Sequence, residues 1–197
     1  MMNAKSIYEE EQILFESATP GTYTLEIAQN GIYEVSCIAG GGGGSCYYTT
    51  GMMAHQGSCG GASGSGFQCC LELKKGSYQI VVGSGGAGAA ISGSDMPASG
   101  NGGNSSFGTC ISYGGTGVNA CTAYTVAVST GGSTPLIPYT KKSQTFVKAG
   151  NGTTGVKGYS ASGGAAVYGT YGKGGDVGTH AGYNGNSGYV KVIYKRR

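Results

Sequence analysis

The sequence is poor in charge: only 11% of its 197 residues are Asp, Glu, Lys or Arg, and the net charge is +3. That is far from the basic excess of a nucleic-acid binder, so nucleic acid is not an expected partner. The positive excess gathers at Lys191, Lys195, Arg196 and Arg197, a terminal cluster that reads as a solubilising tail rather than a phosphate site. No stretch approaches the roughly 20 apolar residues of a membrane span, so membrane insertion is not expected. Residues 1–12 carry Glu9, Glu10 and Glu11 and have no basic start followed by an apolar stretch. Export through a secretory signal is therefore not expected.

Motifs for chemistry are also missing. The seven cysteines, Cys37, Cys46, Cys59, Cys69, Cys70, Cys110 and Cys121, are odd in number and form no C-x-x-C pair, which argues against a zinc or redox framework. Reduced thiols are the expectation, several of them buried, with Cys37 and Cys69 inside strand-like runs. The two histidines, His55 and His180, lie far apart in glycine-rich sequence. A metal site joining them to Asp95 or Asp176 has no ligand spacing to support it. The string Gly83-Ser84-Gly85-Gly86-Ala87-Gly88 follows a strand as a dinucleotide fingerprint does, but Gly93, Pro97 and Gly100 bar the helix that must come next. Neither a P-loop nor a G-x-S-x-G elbow occurs, so no cofactor and no catalytic residue is expected.

Helical periodicity is nearly absent, whereas strand alternation is clear. Residues 22–28 place Tyr23, Leu25 and Ile27 on one face; residues 32–38 place Tyr33, Val35 and Cys37 in phase. Asn30-Gly31 between them predicts a tight hairpin, since both residues tolerate positive φ. Residues 68–73 and 77–82, separated by Lys74, Lys75 and Gly76, predict a second hairpin. The run 189–194 turns Val190, Val192 and Tyr194 inward and leaves Lys191 and Lys195 to water. Weaker strand signals cover 12–15, 105–113, 122–129 and 143–149. The fold class is all-β.

What is abundant is glycine, 42 residues, about three times the usual share of roughly 7%. Gly152, Gly155 and Gly158 step by three; so do Gly169, Gly172, Gly175 and Gly178, and then Gly182, Gly185 and Gly188. A period of three fits neither helix nor strand but matches the polyproline II turn, whose backbones approach closely only along a glycine edge. A flexible linker is the plainer alternative. Against it stand 15 tyrosines, 4 phenylalanines and apolar runs that flank the glycine tracts, because disordered segments are poor in such residues. A single domain follows. Its β-sandwich uses about 12–38, 67–82, 105–149 and 188–195, and its glycine-rich lobe uses about 39–66, 83–104 and 150–187.

Taken together, YEVSCIAGGGGGS at 33–45, GFQCCLELKKGSYQIVVGSGG at 66–86, SGNGGNSSFG at 99–108 and GNSGYVKVIY at 185–194 resemble the glycine-rich domain of bacteriophage tail-fibre and tail-tip proteins. The same order of strand, glycine tract and strand is similar to the glycine-rich ectodomain of anaplastic lymphoma kinase-type receptors. The resemblance spans about 15–194 and implies a jelly-roll-like β-sandwich carrying polyglycine II helices. For the phage members it implies a virion protein, assembled in the host cytoplasm and extracellular when functioning, that attaches to a host-surface glycan or envelope protein. The chain differs from the receptors in lacking a kinase and a membrane span. Its glycine runs are shorter than those of T-even-type adhesins, so their receptor-contact segments do not transfer.

Low charge with many Tyr, Ser, Thr and Asn residues resembles a binding surface. Candidate ligand contacts are Tyr47, Tyr48, Met52, Met53 and His55 in the first glycine tract and Tyr159, Tyr168, Tyr171 and Tyr183 in the last, since tyrosine stacks on sugar rings and hydrogen-bonds their hydroxyls. The same tyrosines could instead cover the bundle edge or a subunit interface. Two functions remain open at this point. One is a receptor-binding adhesin, a homotrimer by analogy with jelly rolls and joined to other virion proteins. The other is a structural protein whose glycine lobes pack subunit on subunit.

Overall fold

A computed structural model describes residues 11–46, 49–50, 53–54, 59–90, 97–120, 129–138, 144–150, 162–167, 169–178 and 181–195. Its strands are β1 (Gln12–Ser17), β2 (Gly21–Ile27), β3 (Gly31–Ile38), β4 (Thr49–Thr50), β5 (Met53–Ala54), β6 (Gly66–Leu73), β7 (Gly76–Val82), β8 (Ser105–Phe107), β9 (Cys110–Ser112), β10 (Gln144–Gly150) and β11 (Tyr189–Tyr194). The fold is all-β. One antiparallel sheet has the order β1-β11-β3-β6-β10, a second has β2-β7-β8-β9, and β4 pairs with β5.

The two large sheets pack face to face through the residues that alternation assigns inward. Tyr33, Val35 and Cys37 of β3, Phe67, Cys69, Leu71 and Leu73 of β6, and Val190 and Val192 of β11 form one side of the core. Ile27, Ile80, Val82, Phe107 and Cys110 form the other. Tyr78 stacks on Phe107, with ring centroids 5.3 Å apart. The strand expected over 122–129 falls almost wholly outside the described residues.

Both expected hairpins are corrected. β2 and β3 lie in different sheets, as do β6 and β7; β2 pairs instead with β7 and β3 with β6. The links 28–30 and 74–75 are arches that carry the chain across the core. Their registers, Ile27 opposite Gly76 and Gly31 opposite Leu73, place the arches side by side. A tight Asn-Gly hairpin needs positive φ at both residues, and neither Asn30 nor Gly31 has it. Asn30 Oδ1 instead accepts the Lys75 N–H at 2.8 Å, tying one arch to the other. Apolar alternation is equally well satisfied by strands that face one another across a core, which is why it could not separate the two arrangements. A tight hairpin does join β8 and β9, turning on Gly108 at φ 54°.

Beyond the sheets the chain runs out and back as extended threads. Threads 39–46, 83–90 and 113–120 leave directly from β3, β7 and β9, whereas 59–65, 97–104 and 181–188 return directly into β6, β8 and β11. Thread 172–178 also runs outward: Gly64 N–H bonds Gly172 near the sheets and Gly178 N–H bonds Ser45 at the far end. Residues 113–120 and 129–134, expected within the sandwich, run in this bundle.

Candidate recognition surface on a glycine bundle

Thread 39–46 continues the middle strand of the larger sheet, and its neighbours repeat every third residue. The N–H groups of Ala39, Gly42 and Ser45 donate to thread 59–65, those of Gly40 and Gly43 to thread 97–104, and those of Gly41 and Gly44 to thread 181–188, all at 2.8 to 3.0 Å. Its carbonyls accept from the three outbound threads: Gly40 from Gly115, Gly41 and Gly44 from Gly86 and Ala89, Gly42 and Ser45 from Gly175 and Gly178. The central thread therefore donates to three inbound threads and accepts from three outbound ones. Further bonds join each ring thread to the next, in the order 59–65, 172–178, 181–188, 83–90, 97–104, 113–120 and back to 59–65.

This arrangement explains the glycines by space rather than by backbone freedom. A Cβ at Gly40, Gly41, Gly42 or Gly43 would stand 2.0 Å from the carbonyl oxygen of Ser84, Lys173, Thr116 or Ala87, and at Gly44 it would stand 2.1 Å from that of Asp176. Backbone meets the central thread in every direction, so five consecutive positions must lack a side chain. Ring threads face inward only once per turn. Gly182, Gly185 and Gly188 point at the carbonyls of Gly44, Gly41 and Ile38, so their three-residue step is the repeat of the bundle. Gly175 faces the Tyr183 carbonyl and Gly178 that of Ala181. Gly169 differs, since a Cβ there would meet only the Tyr171 ring at 3.9 Å; with Gly172 it has positive φ and turns the chain at the base of the bundle.

Short polar side chains complete the bonding. Outbound thread 113–120 directs N–H groups towards inbound 97–104, whose Gly100 and Gly103 carbonyls already serve the centre. Asn104 Oδ1, Asn101 Oδ1 and Ser99 Oγ take the N–H groups of Gly114, Gly117 and Val118 at 2.9, 2.8 and 2.6 Å. Asn184 Oδ1 likewise takes Gly88 N–H at 2.8 Å, and Asp176 Oδ1 takes Gly163 N–H at 2.7 Å. Asn101, Asn104, Asn184 and Ser99, part of the polar content that resembles a binding surface, thus replace missing carbonyl partners.

The candidate contact residues separate on this frame. Tyr47, Tyr48, Met52, His55, Tyr159 and Tyr168 lie outside the described residues, and Met53 is described only as backbone in β5. Tyr171 sits at the sheet end, its ring stacked 4.3 Å from that of Tyr189, whose hydroxyl donates to Glu16 at 2.6 Å. Tyr183 is 64% exposed, and its N–H bonds the Asp176 carbonyl further out on the bundle. At about 3.1 Å per residue, the five steps from Tyr171 to Asp176 separate the two tyrosines by roughly 15 Å along the bundle axis. They do not form one patch. Cys46, Cys59, Ala89 and Val118 close the far end in a small buried cluster.

Charged groups gather instead on the outer face of the larger sheet. Glu34 accepts from Gln68 at 2.6 Å and pairs with Lys195 at 3.0 Å; Lys195 also pairs with Glu11. Burial works to raise the Glu34 carboxyl, but the Gln68 amide and Lys195 together hold it below the usual range. The hydrogen bond from Tyr189 likewise lowers Glu16. Burial pushes the Cys37, Cys69 and Cys110 thiols up to about 12, which removes them as nucleophiles at neutral pH. Among the described residues no group of three or more His, Cys, Asp or Glu side chains could hold a metal ion.

A family profile described as a glycine-rich domain matches residues 17–191. The chain belongs to the glycine-rich domain family. That match takes in both sheets, from the end of β1 to the middle of β11, so the glycine-rich domain is the sandwich and bundle together. No curated protein matches the sequence significantly.

Proposed function

We propose that this glycine-rich domain is a receptor-binding adhesin of a phage or phage-derived virion, in which a rigid bundle displays contact residues at its far end. The observation that carries the reading is the path of the chain. The described outbound threads end there at Cys46, Ala90, Ala120 and Gly178, and the chain is next described in the bundle from Cys59, Pro97, Ser129 and Ala181, on a frame whose inner bonds are made mainly by backbone. Recognition residues concentrate on connections held by a rigid scaffold, and Tyr47, Tyr48 and His55 stand between Cys46 and Cys59 in the sequence.

In this reading the sheets are a jelly roll and the threads are polyglycine II helices. Partner changes at every residue with a three-residue repeat support the helices, as does the absence of positive φ from the threads apart from Gly172. The protein is a homotrimer on the virion, joined to other virion proteins, and its ligand is a host-surface glycan or envelope protein. The test is binding of the purified protein to a panel of bacterial envelopes and glycans. Joint replacement Tyr47→Ala and Tyr48→Ala abolishes binding, and Tyr171→Ala leaves it unchanged. Retained binding in the double variant overturns the assignment of the far end.

A second reading, a self-assembling structural protein, draws on Ile13 of edge strand β1 and on Leu136 beside β9, which are 52% and 46% exposed. Solution mass separates the two: a discrete oligomer supports the adhesin, and a fibre that grows with concentration supports assembly.

A further inference from the structure

Two threads outside the ring show how the bundle accepts an additional extended segment. Thread 129–134 donates from Gly132 N–H to Ser63 of an inbound thread and accepts at Thr130 from Thr116 N–H of an outbound one. Thread 162–166 does the same: Gly164 donates to Gly61 of the inbound thread and accepts from Gly174 of the outbound one. Each lies in a groove between an inbound and an outbound thread, and each uses the donor that the outbound thread turns outward.

The groove between outbound 83–90 and inbound 97–104 has the same two walls. Ser84 and Ala87 are exposed, three residues apart, and among the described residues their N–H groups have no hydrogen-bond partner. These N–H groups lie on the side facing thread 97–104, because a Cβ added at Gly103 or Gly100 would come within 3.0 Å of Ser84 N and 2.8 Å of Ala87 N. In the neighbouring grooves Asn101, Asn104 and Asn184 oxygens take the corresponding donors; here no side chain does so. On the opposite wall the Asn101 carbonyl likewise accepts no bond among the described residues. No side chain larger than serine or alanine on thread 83–90 obstructs the approach.

We propose that this groove docks one extended, glycine-rich segment of another protein, which accepts from Ser84 and Ala87 and donates to the inbound wall. The occupant must be extended, to match donors three residues apart, and rich in glycine, because the threads already held this way approach to backbone contact: a Cβ at Gly132 would stand 2.0 Å from the Tyr113 carbonyl and at Gly163 1.9 Å from that of Gly174. It is the bundle's counterpart of strand addition at a sheet edge, in which main-chain bonds give affinity and side-chain size gives selection.

The test uses the full chain and a capped nonapeptide, Gly-Gly-Asn repeated three times, with amide hydrogen exchange followed residue by residue by NMR. Saturating peptide slows exchange at Ser84 and Ala87 roughly tenfold, and a peptide with valine in place of each glycine does not. The variant Ala87→Pro removes one donor, and it weakens the peptide-induced protection of Ser84. Unchanged exchange at both amides with millimolar peptide overturns the proposal. Protection that grows with protein concentration without peptide also overturns it, because the occupant would then be a second copy of this chain. The unaltered protein answers the question even if Ala87→Pro fails to fold.

Discussion

The sandwich and the glycine bundle are built on opposite terms. In the sandwich, strands stand apart and side chains such as Phe107, Leu71 and Val35 fill the space between sheets. In the bundle, backbones touch and the space for side chains is gone. The core of one is apolar atoms removed from water; the core of the other is thread 39–46, with seven N–H groups paired to surrounding threads. Their tolerance to substitution is therefore inverted, since large-to-small change damages the first and small-to-large the second.

The sharpest way to break this contrast is to apply both kinds of change. Phe107→Ala, at a fully buried position, lowers unfolding free energy by about 4 kcal/mol in denaturant titration. Gly42→Ala adds a single carbon, yet its nearest atom is the Thr116 carbonyl oxygen at 2.0 Å, and the expected loss is about 3 kcal/mol. If Gly42→Ala folds with wild-type stability, the account of the central thread is wrong.

Alkaline titration probes the sandwich core next. Cys37, Cys69 and Cys110 have an ordinary value of 9.0 and are raised to about 12 by burial in the sandwich core. A raised folded value means stability fully present below pH 9 and lost as pH rises towards 12. Cys37→Ala, Cys69→Ala and Cys110→Ala combined flatten that slope, and an unchanged slope would show that the thiols do not set it. At the acid side the lowered Glu34 contributes stability above the ordinary carboxylate range, lost as pH falls through its folded value.

Smaller effects sharpen the picture of the bundle surface. Asn101→Ala leaves Gly117 N–H without its acceptor and costs about 1 kcal/mol, with faster exchange at that amide as the direct readout. Tyr183→Ala, at a side chain 64% exposed, changes stability by less than about 0.5 kcal/mol. Any larger loss would mean that this tyrosine belongs to the bundle's structure.

Strand positions were legible because alternation reports burial directly: Tyr23, Leu25 and Ile27, or Val190 and Val192, announce an inward face. Pairing was not legible. Asn30-Gly31 carries the residues of a tight turn, but its asparagine oxygen is used by Lys75 on the second arch, a contact 45 residues away in sequence. Of the candidate contacts, Tyr171 and Tyr183 were indistinguishable by sequence, both standing beside a glycine of a three-residue series. The fold gives one a stacking partner in Tyr189 and leaves the other in solvent.

By itself the sequence determined the all-β class, the inward faces of the strands and the three-residue step of the glycine tracts, because each is a local period imposed by backbone geometry. Only the tertiary structure decided which strands share a sheet and which thread stands at the centre. Those choices rest on hydrogen bonds between backbones distant in the chain, and a backbone donor is chemically the same at every residue. Gly40 to Gly44 record the outcome, since the thread surrounded on all sides is the one with five consecutive positions that can carry no side chain.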